Sequence, residues 1–175
     1  MSWDPAAPKV GEQAFDLPLL DEAGKPAALS TLGRGGPLLA LIFRDPYDEA
    51  GLKMLREYRD QTLALRRAGV SLCGVAHADP SALRFMRAER GLGFPLFSDG
   101  EGGALSRWGM RDRSGLFLLG SDRRVRQRLL GGIGSAEALV TFVRRGGARQ
   151  RGLRDRLAQA LHAVSSALRP RRLAR

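Results

Sequence analysis

Apolar residues change their period several times along the chain, and each change marks an element. Phe15–Leu20 and Ala27–Leu29 flank the turn signal Asp21-Glu22-Ala23-Gly24-Lys25-Pro26, which predicts an N-terminal hairpin. Leu38-Leu39-Ala40-Leu41-Ile42-Phe43 is an unbroken apolar run after Gly35-Gly36-Pro37. Such a run, without alternation, is the mark of a strand covered on both faces. From Glu49 to Ala68 the period becomes helical, with Leu52, Leu55, Tyr58, Thr62 and Leu65 three or four apart, and Gly69 stops it. Val70-Ser71-Leu72-Cys73-Gly74-Val75 is a second buried-type strand, so the three segments form a β-α-β unit with a parallel pair.

Asp79-Pro80-Ser81 opens a further helix carrying Leu83, Phe85 and Met86, and Gly91 ends it. Pro95-Leu96-Phe97 reads as a short, edge-like strand and Gly103–Trp108 as a short helix. Leu116–Leu119 and Val125–Leu130 on either side of Gly120-Ser121-Asp122-Arg123-Arg124 predict an antiparallel hairpin. Ser135-Ala136-Glu137 starts a last helix, with Leu139, Phe142 and Val143 on one side, that runs to Arg145. The pattern as a whole predicts an α/β domain with a mixed central sheet, and no repeat at solenoid periods interrupts it.

Past Gly146-Gly147 the composition shifts. Leu153, Leu157, Leu161, Val164 and Leu168 make an apolar stripe on an otherwise Arg-rich helix that Pro170 ends. The predicted division is an N-terminal extension at 1–8, a domain at 9–146 and a basic amphipathic tail at 147–175. Charge follows that division: residues 1–146 hold 21 Lys and Arg against 17 Asp and Glu, whereas the tail holds eight Arg against Asp155 alone.

The tail has three readings: packing of the stripe on the domain or on a partner, including across a homodimer; lying on an anionic membrane; or contacting nucleic-acid phosphates. Protein packing is preferred. The stripe lacks Trp and Phe, and a pure phosphate contact would not need it. Arg outnumbers Lys by 26 to 3, and because the excess runs through the whole chain it reads as compositional bias before phosphate recognition.

A single cysteine, Cys73, excludes an intramolecular disulfide and any multi-cysteine metal site, and two His exclude a His-rich one. No cofactor is implied. Met1 to Gly11 has neither a basic start nor an apolar run, and no segment approaches the ~20 apolar residues that span a bilayer. These features predict a cytoplasmic protein.

Several segments, in order, resemble one family. They are Val10-Gly11, Ala14, Asp16, Leu19, Asp21, Gly24-Lys25 and Leu29-Ser30-Thr31-Leu32; then Gly93-Phe94-Pro95-Leu96-Phe97-Ser98-Asp99 followed by Arg107-Trp108-Gly109-Met110; then Arg113-Ser114-Gly115-Leu116-Phe117-Leu118-Leu119. Together, over roughly residues 9 to 145, they are similar to the alkyl hydroperoxide reductase and thiol-specific antioxidant group, the peroxiredoxins in the broad sense. Phe15, Leu17 and Gly120 depart from the pattern, standing where it has Pro, Phe and Asp. The resemblance implies a thioredoxin-like three-layer fold, extended here by the N-terminal hairpin and the C-terminal amphipathic helix. It also implies a peroxidatic Cys at the first turn of the helix after the strand ending at Phe43, activated by helix amides and a nearby Arg.

Residues 44 to 58 contain no Cys, Ser or Thr. If Pro46 is the family's loop Pro, Lys53 stands at the Cys position and Ala50 at the hydroxyl position. If a Cys-x-x-Cys is aligned instead, acidic and small residues replace both sulfurs. Asp45, Asp48 and Glu49 make this helix start acidic, which would raise a thiol's pKa. An acidic start that suits the helix dipole explains them better than a hard-cation site does. Arg113 matches the family's active-site Arg and is either a lining residue of a retained pocket or a solvated side chain.

Cys73, in mid-strand, reads as a small core hydrophobe before it reads as a nucleophile, and His77 as a loop residue before a base. Pro46, Asp48, Ala50, Lys53 and Arg113 are therefore the candidate remnants of a pocket, with Cys73 the one thiol. The leading expectation is a non-catalytic binding or regulatory module. A thiol-dependent antioxidant using Cys73 and a membrane or nucleic-acid adaptor acting through the tail are the alternatives.

Overall fold

The computed structural model describes residues 7–100, 103–131 and 134–145. The expected tail helix and most of the N-terminal extension lie outside them. The chain divides into two compact units, Met1–Ile133 and Gly134–Arg175.

The first unit is built on one seven-stranded mixed sheet in the order β2-β1-β5-β4-β3-β6-β7. Its strands are β1 (Pro18–Leu20), β2 (Pro26–Ala28), β3 (Leu38–Phe43), β4 (Ser71–Ala76), β5 (Leu96–Ser98), β6 (Gly115–Leu119) and β7 (Val125–Leu130). β3, the all-apolar run, is buried at all six positions and sits between β4, parallel to it, and β6, antiparallel. α1 (Glu49–Arg67) crosses from β3 to β4, and α2 (Pro80–Glu89) from β4 to β5, which is again parallel. Both crossovers step the same way across the sheet, so right-handed connections put α1 and α2 on the same face.

The pleat divides β3 between two cores. Leu38, Ala40 and Ile42 join Cys73, Val75, Phe97, Phe117 and Leu119 in a cluster closed by Leu17, Leu29, Leu105, Trp108 and Met110. Leu39, Leu41 and Phe43 are equally buried and, by alternation, face the other way. That side is the helical one: α1 buries Met54, Leu55, Tyr58, Thr62 and Leu65, and α2 buries Leu83 and Met86. Trp108 meets Phe117 edge-on at 4.6 Å between ring centroids and donates from Nε1 to the Phe15 carbonyl at 3.2 Å. The α3 turn (Gly103–Arg107) is thereby fastened to the N-terminal segment.

Three local expectations need correction. The Pro95–Phe97 segment forms β5, which is not an edge: it is hydrogen-bonded to β4 on one side and to β1 on the other, through the Leu20/Ser98 pair. Leu29, read as the end of a strand, opens a 3-10 turn over Leu29–Gly35. Phe85, counted among the apolar residues of α2, is 69% exposed, because Leu83 and Met86 take the inward positions. In the second unit, α4 (Ala136–Arg145) buries Ala136, Leu139 and Val140, while Phe142 and Val143 are half-buried. Among the described residues no helix is long and apolar enough to cross a membrane.

Candidate functional site

The strand β3 runs out at Phe43, and the five residues before α1 fold into a tight, self-bonded loop. The Arg44 amide donates to Ser114 Oγ at 3.0 Å, holding the loop against the start of β6. Asp45 Oδ1 accepts the Tyr47 amide at 2.8 Å, the side-chain turn that Asp makes readily, with Pro46 buried between them. Asp48 then caps α1: in extended conformation, its Oδ1 accepts the Gly51 amide at 2.7 Å and its carbonyl accepts the Leu52 amide at 2.9 Å. Glu49 adds a second carboxylate to the first turn, where the helix dipole favours it.

Gly51 is the residue that lets the loop close. A Cβ there would lie 2.5 Å from the Asp45 carbonyl oxygen and 3.1 Å from Pro46 Cα, so any side chain would push the loop off the helix. A glycine inside an otherwise helical pattern was the signal for this position, since it gives up about 1 kcal/mol of helix propensity for no local gain. Asp48 Oδ2 also meets Arg44 at 3.4 Å, an exposed pair of small energetic weight. The Gly51 and Leu52 amides of the first turn thus donate to the carboxylate and the carbonyl of Asp48.

Of the residues singled out in the sequence, Pro46, Asp48, Ala50 and Lys53 share this helix start. Pro46 is buried, Asp48 half-buried, and Ala50 and Lys53 exposed. Arg113 is exposed immediately before Ser114, which the loop's Arg44 contacts. Cys73 is not among them. It pairs with Ala40 in the middle of the β3/β4 ladder, three residues before that ladder ends at Phe43 and Ala76. At 3.3 Å per residue this is about 10 Å down the sheet.

Cys73 is 1% exposed. Burial pushes its thiol up to about 12, against a smaller opposing pull from the Arg123 guanidinium. His77, just past β4, is exposed, with Nδ1 2.9 Å from the Asp99 carbonyl oxygen. Among the described residues no group of three His, Cys, Asp or Glu is placed to hold a metal ion.

Arg123 was read only as part of a turn. It adopts a left-handed backbone, φ 60°, and its guanidinium donates to the carbonyls of Ser30, Leu32 and Gly36, the last at 2.8 Å. The side chain binds the 3-10 turn to the β6/β7 hairpin and brings a positive charge toward the core thiol. An Arg in a left-handed turn has no sequence signature, because that conformation is normally left to Gly or Asn.

The sequence profile described as the AhpC/TSA family matches residues 10–128. Among solved structures, the chain is similar to peroxidoxin BcpB from Mycobacterium tuberculosis, with a TM-score of 0.72, 21% identity and coverage of 81% of this chain and 99% of the other. It is also similar to a thiol peroxidase from Chromobacterium violaceum, with a TM-score of 0.69, 20% identity and coverage of 81% and 89%. A peroxiredoxin-like protein from Aquifex aeolicus gives a TM-score of 0.65 at 12% identity, covering 78% and 86%. At these identities the likeness is one of fold, thioredoxin-like with a mixed sheet. No curated protein matches the chain.

Proposed function

Because the chain belongs to the AhpC/TSA family, we propose that it keeps the family's thioredoxin-like frame as a binding or regulatory module without thiol peroxidase chemistry. The observation that carries this reading is the state of the first turn of α1. Peroxide reduction needs a sulfur anion that attacks one peroxide oxygen and expels the other, and a helix start is where amides lower a thiol's pKa. Here residues 44 to 58 hold no Cys, Ser or Thr. If Pro46 is the family's loop Pro, Lys53 stands at the Cys position and Ala50 at the hydroxyl position, and the Gly51 amide is already taken by the Asp48 carboxylate.

The competing reading, an antioxidant that works through Cys73, has to overcome burial and protonation together. Burial pushes the thiol up to about 12, which keeps it protonated at neutral pH, and at 1% exposure it is reached through local opening of the fold. As a module the protein would act through its surface, on a second copy of itself or on another protein.

The test is peroxide consumption by the purified full chain with a dithiol reductant, beside Cys73→Ser. The module reading expects equal, background rates for both. Consumption that depends on enzyme concentration and disappears in Cys73→Ser would overturn it.

A further inference from the structure

We propose that residues 29–36 form a latched strap over the core, that the Arg123 guanidinium is the latch, and that its release uncovers Cys73 while the sheet stays folded. The inference goes beyond the module reading and does not rest on it. The strap begins where β2 ends, turns through the 3-10 residues Leu29–Gly35 and enters β3 by way of Gly36 and Pro37. It packs against β4, the strand that carries Cys73. Leu29, 2% exposed, belongs to the same buried cluster as Cys73, and the half-buried Leu32 packs against that cluster.

The strap is fastened differently from the sheet beneath it. β4 is hydrogen-bonded to β3 on one side and to β5 on the other, so moving the strand itself breaks two ladders. The strap lies between ladders, after Ala28 and before Leu38, and two charged side chains tie it to the rest of the chain. At its start the Asp16 carboxylate accepts the Ser30 amide at 2.9 Å and Ser30 Oγ at 2.6 Å, beside a bond from the Leu29 amide to the Leu17 carbonyl at 3.3 Å. Further along, Arg123 donates to the carbonyls of Ser30 and Leu32 and, at 2.8 Å, of Gly36. Three carbonyls thus depend on one side chain, and its departure frees them together. None of the ion pairs among the described residues includes Arg123, so no carboxylate shares its hold.

The backbone at Arg123 carries strain that the clamp offsets. Its φ of 60° lies in the left-handed region, which is unfavourable for a residue with a Cβ and open to glycine. Glycine would build the turn between β6 and β7 with less strain, but it could not reach the strap. The guanidinium's pull is felt at the Cys73 thiol, so latch and thiol are neighbours. Cys73 stands two residues, about 7 Å, from Ser71 at the start of β4. The Ser71 amide donates to the Pro37 carbonyl at 3.0 Å, where the strap joins β3. The strap therefore closes the end of the β3/β4 pair opposite to the start of α1.

The experiment reads amide hydrogen exchange and the alkylation of Cys73 by iodoacetamide in the folded full chain, for the wild type, Arg123→Gln, Arg123→Gly and Arg66→Gln. In the wild type the Leu29 and Ser30 amides should exchange at least about tenfold faster than those of Ile42 and Val75. Arg123→Gln and Arg123→Gly should each alkylate Cys73 at least about tenfold faster than the wild type, the glycine variant included although it relieves the turn. Arg66→Gln removes a guanidinium bond to the Gly93 carbonyl and should leave the rate unchanged. Low concentrations of urea report how much surface each opening exposes: alkylation of the Arg123 variants should depend on urea far more weakly than global unfolding does.

Wild-type alkylation rates in the Arg123 variants would overturn the latch, and so would an equal acceleration in Arg66→Gln. Faster alkylation with the urea dependence of global unfolding would overturn it too, since the thiol would then be reached only by melting the sheet. Should the Arg123 variants fail to fold, exchange in the wild type still decides: Leu29 and Ser30 amides as protected as those of Ile42 and Val75 would contradict a strap that opens alone. Peroxide turnover is separate from every arm, so loss of the latch leaves the module reading standing.

Discussion

At the first turn of α1 the chain is open to solvent, rich in charge and close to a strand end, yet it carries no thiol. In the middle of β4, about 10 Å down the same sheet, it carries its one thiol, 1% exposed, paired with Ala40 and packed in the cluster that holds Trp108 and Phe117. Thiol catalysis needs access, a lowered pKa and the sulfur at one point in space. The two regions hold these separately. The helix start would supply access, but its Gly51 and Leu52 amides are bonded to Asp48, and the strand supplies a thiol whose pKa is driven up by burial. A family frame can persist under such a division, because the forces that build it, two apolar faces on β3 and two right-handed crossovers, owe nothing to the reacting residue.

The sharpest way to break this contrast is to put a thiol in the first region and compare it with the one in the second. Lys53→Cys should alkylate with iodoacetamide as fast as a free thiol, while Cys73 in the same folded molecule reacts at least about a thousandfold more slowly. Peptide mapping over time reads both rates at once, and comparable rates would end the distinction. A polar probe of the core comes next. Cys73→Asp should cost about 3–5 kcal/mol, by leaving a carboxylate unpaired among Leu38, Ile42 and Phe117, and denaturant titration should find the variant unfolded or nearly so.

On the loop side, Gly51→Ala should lose about 1–3 kcal/mol, because its new methyl meets the Asp45 carbonyl at 2.5 Å. If it matches wild type, the loop is not as tightly closed as described. The most gradual effect, small over any one pH unit, is the pH dependence. Below the ordinary thiol range, about pH 8.5, Cys73 is neutral in both states. Above it the unfolded chain gives up a proton that the core holds to about 12, so stability should fall with rising pH across that window, by at most about 1.4 kcal/mol per unit. Cys73→Val should flatten part of the slope. Tyr58, also raised by burial, keeps the remainder at the alkaline end.

The sheet was legible where a segment declares its own environment. Six uninterrupted apolar residues at 38–43 identify a two-sided central strand, and the spacing of Leu55, Tyr58, Thr62 and Leu65 identifies the buried stripe of α1. β5 was misread because its place depends on partners far away in the chain: nothing in Pro95-Leu96-Phe97 announces the Leu20/Ser98 pairing. Phe85 misled for the opposite reason, since hydrophobicity alone does not say which face of α2 a residue takes.

At the site, the absence of Cys, Ser and Thr from residues 44 to 58 and the acidic helix start are properties of the letters themselves. The closure of the loop on Gly51 and the carbonyl clamp of Arg123 are not, because both depend on backbone oxygens brought in by the fold. Asp48 lay between the two kinds: its place in an acidic helix start was visible, but its capping bond to the Gly51 amide and its contact with Arg44 needed coordinates.

The central claim is most directly tested at the sulfur itself. Native protein exposed to hydrogen peroxide with a sulfenic-acid trap, then digested and weighed peptide by peptide, should show Cys73 unmodified until the chain is unfolded. Rapid, stoichiometric trapping at Cys73 in the folded protein would contradict the account.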